Sequence, residues 1–245
     1  MLYRVRELVQ FWGLTPGFVL HVGAHKAEEI SEYDINGFSK VIWVEAQPEL
    51  AKYLQNHLDP DKHTVICGVA WDTHDDFIQL KVASNSQSSS VLALGTHAKS
   101  YPEVVIDKEI VVKTLRLDQV IPLDLKFSLL NIDVQGAELH VLRGLGHLLR
   151  NFNMIYSEVN RKYVYENCSL VNEVDAYLKT FGFRRVSTRW MFRVGWGDAI
   201  WVNEDSFSLN KRIQATMRNL KFYFFHFRLS FIYQVKSRWL NSHVS

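Results

Sequence analysis

Two stretches of the chain carry acids to the ends of apolar runs. In LLNIDVQGAELHVLRGL, residues 129–145, Asp133 closes a buried-looking run, Gly136 makes a turn, and Glu138 follows where a helix begins. In MIYSEVN, residues 154–160, Glu158 and Asn160 close another. Carboxylates so placed can accept a proton from a reacting hydroxyl, and with an amide oxygen they can hold a hard cation such as Mg²⁺. They can also serve the fold. An aspartate before Gly136 suits a turn or helix cap, and Glu138 in a first helical turn favours the helix dipole, the stronger reading for Glu138.

The elements that must position these acids alternate. Strands are expected at Phe18–Val22, Val41–Glu45, His63–Val69, Phe77–Val82, Leu129–Val134 and Met154–Val159, with Phe183–Ser187 and Ala199–Val202 as a closing pair. Helices are expected at Ala27–Tyr33, Pro48–His57, Ala137–Arg150 and Leu170–Phe181, the second opened by proline in its first turn. Such alternation predicts an α/β fold, a mostly parallel sheet with helices on both faces. The polar stretch ASNSQSSS, residues 83–90, reads as loop.

Ligands of open α/β sheets sit beyond the carboxyl ends of the strands. Those ends gather Gly23, Ala24 and His25; then Glu45 and Gln47; then Ala70 and Asp72; then Asp133 and Gln135; then Glu158 and Asn160. Glu45, about 20 residues beyond the Gly23 turn, stands where a ribose diol receives its hydrogen bonds. The turn has the single glycine Gly23, with Ala27 where a later one would fall. A pyrophosphate needs a closer backbone approach, so an NAD-dependent oxidoreductase is disfavoured, and a nucleoside without phosphates suits the turn better. A non-catalytic nucleotide-binding module is the other alternative.

In order along the chain, VLHVGAHKAEEISEY, VIWVEAQPE, GVAWDTHD, SNSQSSSVLALGTH, LLNIDVQGAELHVLRGL, MIYSEVN and GWGDAIWV resemble the FkbM-type methyltransferases, a branch of the Rossmann-like class I S-adenosylmethionine-dependent enzymes. The resemblance departs at His21, where the family commonly carries Asp. It implies transfer of a methyl group from S-adenosylmethionine to oxygen, commonly a sugar hydroxyl of a glycan, glycolipid or glycosylated metabolite. By position it implies that Gly23, Ala24 and His25 line the methionine side of the cofactor and that Glu45 holds the ribose. Gln47, Ala70 and Asp72 would lie near ribose and adenine, Ser89 in a loop closing over the site, and Gln135 beside Asp133. Asp133, Glu158 and Asn160 would be catalytic, and by analogy with metal-using relatives Mg²⁺ could join them. From the residues themselves, Trp196 and Asp198 in the GWGD loop either offer a sugar ring an aromatic face and an acid or form a hairpin turn with a packed tryptophan, and His97 belongs either to the acceptor pocket or to the surface.

Composition sets the frame. The 245 residues fit one α/β domain with an appendage, and 47% hydrophobic against 22% charged residues is ordinary for a globular chain. Cys67 and Cys168 form no CxxC pair, which favours a reducing, cytoplasmic setting. The first residues are too charged for a signal peptide, and no apolar run spans a membrane. After Asp205 there is no acid, while Lys211, Arg212, Arg218, Lys221, Arg228, Lys236 and Arg238 supply seven of the 28 basic residues, leaving 21 against 26 acidic ones before them. The expected organisation is an N-terminal helix over 1–17, the methyltransferase domain over 18–205 and a basic, aromatic, amphipathic helical extension over 206–245. That helix would pack on the acidic body or on another subunit, or rest against the inner membrane face through residues 211–239. No nucleic acid is expected.

Overall fold

The computed structural model describes residues 1–96, 103–191 and 194–205. His97, the segment around Phe192, and the whole extension over 206–245 with its proposed membrane-facing stretch lie outside the described residues. Among those described, no helix is long and apolar enough to cross a membrane.

Among the described residues, ten strands form two sheets. The main sheet contains β1 (Phe18–Val22), β2 (Lys40–Glu45), β3 (His63–Cys67), β7 (Phe127–Ile132), β8 (Phe152–Asn160), β9 (Phe183–Trp190) and β10 (Trp196–Asn203), in the order β3-β2-β1-β7-β8-β10-β9. The first five in that order run parallel, and β10 lies antiparallel between β8 and β9. The order reverses between β1 and β7, which opens a crevice at their carboxyl ends. A small second sheet places β6 (Ile106–Leu115) between β4 (Val69–Ala70) and β5 (Phe77–Ala83).

Each face of the main sheet has its own apolar layer. On one face Leu20, Val22, Leu130 and Ile132 meet Val141, Leu142 and Leu145 of α5 (Glu138–Leu145) and Val174 and Leu178 of α6 (Val171–Lys179). On the other, Val19, Trp43, Leu129 and Met154 meet Val5 and Leu8 of α1 (Val5–Gln10), Tyr33 of α2 (Ile30–Ile35) and Leu54 of α3 (Pro48–His57). Burial on both faces explains why β7 reads FSLLNI, with every residue buried, instead of alternating. A short α4 (Leu117–Val120) joins the second sheet to β7.

Three expectations are corrected. The strand β6 is absent from the sequence reading, which passed from residue 82 to the loop and then to residue 129. The helix after β1 begins at Ile30, not Ala27, because His25 and Ala27 take positive φ angles of 46° and 58° and the chain turns before it coils. The helix expected over 137–150 is α-helical only to Leu145, and Gly146, with φ 47°, passes it into a 3-10 turn through Asn151.

Within α5, Gly144 lies against the strand end that leaves β4: a Cβ added there would sit 2.0 Å from the Trp71 carbonyl oxygen. In an open helix, Gly→Ala stabilises by about 1 kcal/mol. Here the neighbour is backbone, so Gly144→Ala should instead lower the stability by about 1–3 kcal/mol, read as a lower urea midpoint at unchanged slope.

Glu138 opens α5 with its carboxylate buried, accepting the Gly136 N–H at 2.8 Å. Burial pushes its pKa up to about 7, helped by the charge of Asp133 and opposed by the Gly136 amide. The fold therefore prefers the protonated form. The stability this group contributes is complete below its unfolded pKa near 4.5 and is lost as pH rises through about 7. Glu138→Gln keeps an acceptor for the amide and removes the titration. The variant should lose less stability than the parent between pH 5 and pH 8, by on the order of 3 kcal/mol, as read from urea midpoints at the two pH values.

Candidate active site

The β1–β7 junction fixes the geometry of the crevice. Gly23 follows β1 with φ 91°, and a Cβ there would lie 1.8 Å from the Asp133 carbonyl oxygen. No other residue fits so close to the neighbouring strand end. The Gly23 and Ala24 amides donate to the Val44 carbonyl at 2.9 and 3.1 Å, and the Asp133 amide donates to the Val22 carbonyl at 2.9 Å. Three strand ends are thereby held in register at one point.

Glu45 is the tip of β2 and only 4% exposed. The His25 N–H donates to its Oε2 at 2.7 Å and the Gln47 N–H to its Oε1 at 2.8 Å. Burial raises its pKa, while those two amides pull it back. Each oxygen keeps lone-pair capacity for a further donor. The carboxylate is built to accept two more hydrogen bonds side by side, the pattern a vicinal diol offers.

Across the crevice stand the acids of β7 and β8. The Gln135 side-chain amide donates to Asp133 at 2.6 Å and accepts from the Tyr165 hydroxyl at 2.5 Å. Its backbone, with φ 56°, offers its carbonyl to the Ser90 hydroxyl at 2.8 Å. Glu158 is 9% exposed, and burial, then the charges of Asp133 and Glu138, push its pKa well above the usual carboxylate range. Burial raises Asp133 as well. Asp198 of β10 accepts from the Leu2 amide at 2.5 Å and from the Tyr156 hydroxyl, and burial lifts it to about 7.

The loop over 83–90 reaches the same place. His25 ties it down, its Nε2 2.7 Å from the Ser86 hydroxyl and its Nδ1 2.6 Å from Glu28. Ser89 donates to the Ser86 carbonyl at 2.6 Å and to no part of the strand acids. Together these elements enclose a cavity of about 600 Å³, within the range of small-molecule and cofactor sites.

Gly23, Ala24, His25, Glu45, Gln47, Ala70, Ser89, Asp133, Gln135 and Glu158 all line this cavity, as do Trp196 and Asp198. Two of the residues singled out from the sequence do not. Asp72 turns away to α5, with Oδ2 2.9 Å from the His140 ring, which stacks on Trp71. Asn160 is 0% exposed and its side-chain amide has no hydrogen-bond partner. Asp133 and Glu158 line the cavity, and Asn160, two residues beyond Glu158 on β8, does not. Among the described residues no three His, Cys, Asp or Glu side chains are grouped to hold a metal.

His21 also lines the cavity, buried with its ring 4.9 Å from that of Trp43 and its Nδ1 3.1 Å from the Tyr33 hydroxyl. Burial pushes its pKa down to about 4, so it is neutral near pH 7. Sequence reasoning missed Tyr165, Glu29 and Glu103, which line the same space. Tyr165 belongs to the loop after β8, where no strand or helix period marks it.

Comparison with known proteins follows the same lines. No curated protein matches the chain. Among solved structures, it resembles an FkbM methyltransferase from Methylobacillus flagellatus, at 12% identity and a TM-score of 0.49, over 82% of this chain and 48% of that one. It therefore spans about half the length of that relative. A magnesium protoporphyrin IX methyltransferase from Synechocystis, solved with bound S-adenosylmethionine, is similar at 11% identity and a TM-score of 0.45, over 82% of this chain and 76% of that one. An S-adenosylmethionine-dependent methyltransferase from Clostridium acetobutylicum is similar at 8% identity and a TM-score of 0.46, over 81% and 88%. The strand order β3-β2-β1-β7-β8-β10-β9, parallel but for β10, is a Rossmann-like doubly wound arrangement. The family model for the methyltransferase FkbM domain matches residues 21–185, from the strand that carries His21 to the β9 edge, and the chain belongs to that family.

Proposed function

We propose that the protein is an S-adenosylmethionine-dependent O-methyltransferase whose acceptor is a sugar hydroxyl of a glycan, glycolipid or glycosylated metabolite. One observation carries this reading: a diol-accepting carboxylate, Glu45, and two buried carboxylates of raised pKa, Asp133 and Glu158, line one cavity at the switch point of the sheet.

The residues fit the cofactor. The nucleoside side is supplied by Glu45 for the ribose diol and by Gln47, Ala70 and the 85–91 loop around it. The Gly23–Ala24–His25 turn bounds the other end. Its single glycine suits a ligand without pyrophosphate, which is why NAD is the lesser alternative. S-adenosylmethionine, when bound, supplies a methyl group already activated by its positively charged sulfur.

What remains for the protein is alignment and proton removal. An alcohol attacks well only as its proton leaves, so a base must stand beside the oxygen. Asp133 Oδ or Glu158 Oε serves as that base. Burial raises the proton affinity of both, and the charge of Asp133 raises that of Glu158 further, which brings them nearer to neutral operating pH. Gln135 holds Asp133 in place at 2.6 Å, and Trp196 borders the same space with a ring that a sugar face can rest on.

Calorimetric titration with S-adenosylhomocysteine, with NAD as the comparison, tests the cofactor. Micromolar binding of the first alone is expected, and binding of NAD alone would overturn the reading. Glu45→Ala should weaken S-adenosylhomocysteine by at least about tenfold, the loss of one charge-assisted hydrogen bond or more. Once a glycan screen with methyl-labelled cofactor yields an acceptor, Asp133→Asn and Glu158→Gln separate the base from its neighbour. The variant that removes the base should lower transfer by about 100-fold or more while the cofactor analogue still binds. Full turnover in both variants would remove these carboxylates from the mechanism.

A further inference from the structure

The charge of the cavity wall restricts the acceptor more closely than its shape does. Glu28, Glu29 and Glu103 line the cavity together with Glu45, Asp133, Glu158 and Asp198, and no Lys or Arg is among its described lining residues. The other polar groups there are Ser, Asn, Gln and His side chains, a tyrosine, a tryptophan and the amino group of Met1, whose positive charge acts on Asp133, Glu158 and Asp198. The nearest guanidinium of β9, Arg189, is turned to Glu7 at 2.7 Å, to the Leu2 carbonyl at 2.8 Å and over the Tyr3 ring.

From this we infer that the acceptor enters the cavity without negative charge: it is an uncharged or amine-bearing sugar, and no phosphate or carboxylate lies beside the hydroxyl that is methylated. The inference rests on the methyl-transfer reading and narrows its substrate class.

The physical argument runs in both directions. A phosphate or carboxylate is recognised by charge-assisted donors, above all by arginine and lysine, and the described wall supplies neither. It would also add negative charge to a wall whose acids burial already makes costly to ionise. Sugar hydroxyls and ammonium groups are donors, and carboxylates are their natural acceptors. Trp196 adds aromatic surface, which attracts the C–H face of a sugar and a cation alike. The same wall suits a sulfonium.

The test needs no knowledge of the natural acceptor. Protein saturated with S-adenosylhomocysteine is mixed at low ionic strength with methyl α-glucoside, glucosamine, glucose 6-phosphate and glucuronate at equal concentrations, and saturation-transfer NMR reports contact. The first two should give signals several-fold stronger than the two anions. Equal or stronger signals from glucose 6-phosphate or glucuronate would overturn the inference and leave the methyl-transfer reading intact. No signal from any of the four would overturn both the inference and the sugar acceptor, again without touching the cofactor titration.

Discussion

The contact between Gly23 and the Asp133 carbonyl is the constraint on which the rest of the site depends. At the point where the sheet reverses its order, β1 and β7 end side by side and the chain leaving β1 must turn across the end of β7. It can do so only because residue 23 has no side chain and takes a positive φ. The turn then delivers the His25 amide to Glu45, and Glu45 in turn binds the Gln47 amide that opens α3. One close approach thus sets the position of the acid on β2, the start of a helix on each side, and the distance across to the acids of β7 and β8.

That geometry concentrates carboxylates where water is scarce. Burial alone would push their protons back on, and each of the four central acids has a different remedy. Glu45 is held by two backbone amides, Glu138 by one, Asp198 by an amide and a tyrosine, and Asp133 by the neutral amide of Gln135. Glu158 is the one pushed furthest, with Asp133 and Glu138 as like-charged neighbours. Burial thus raises the proton affinity of all five acids, the donors offset it only in part, and Glu158 is left the readiest of them to take a proton.

Much of this was legible from the sequence, because the informative signals are local. Glu45 is read from its distance to Gly23, the helix α3 from Pro48 and its amphipathic spacing, and β7 from an unbroken apolar run. The missed strand β6 hides its pattern: Ile110, Val112 and Thr114 face inward, but Val111 breaks the polar outer row of Glu109 and Lys113. Its partner β5 lies across a long loop, so no hairpin signal announces it. Reading strand ends assigns every residue beyond a strand to the crevice, whereas Asp72 and Asn160 do not line it. Asp72 follows β4, which belongs to the second sheet, and points to His140 on α5. Asn160 is still within β8, enclosed where β10 pairs with it. Tyr165 could not be found by spacing at all, since a loop places it.

His21 shows how a substitution at the centre of the site can be absorbed. The family commonly carries aspartate there, and a carboxylate at that position would add a charge beneath the Gly23 turn, close to Asp133. Histidine would add the opposite charge if it were protonated. The surroundings prevent both outcomes: Trp43 lies against the ring, the Tyr33 hydroxyl and the Asn131 amide face its Nδ1, and burial drives the pKa down to about 4. The position is therefore neutral, and it fills the layer between β1 and α2 as an aromatic residue. The negative charge at this end of the cavity then comes from Glu28 and Glu29, one turn further along the chain and closer to solvent. Charges there are more easily screened and repel Asp133 less than a buried aspartate at position 21 would. The exchange leaves the cavity acidic while sparing the β1–β7 junction a second buried carboxylate at its narrowest point.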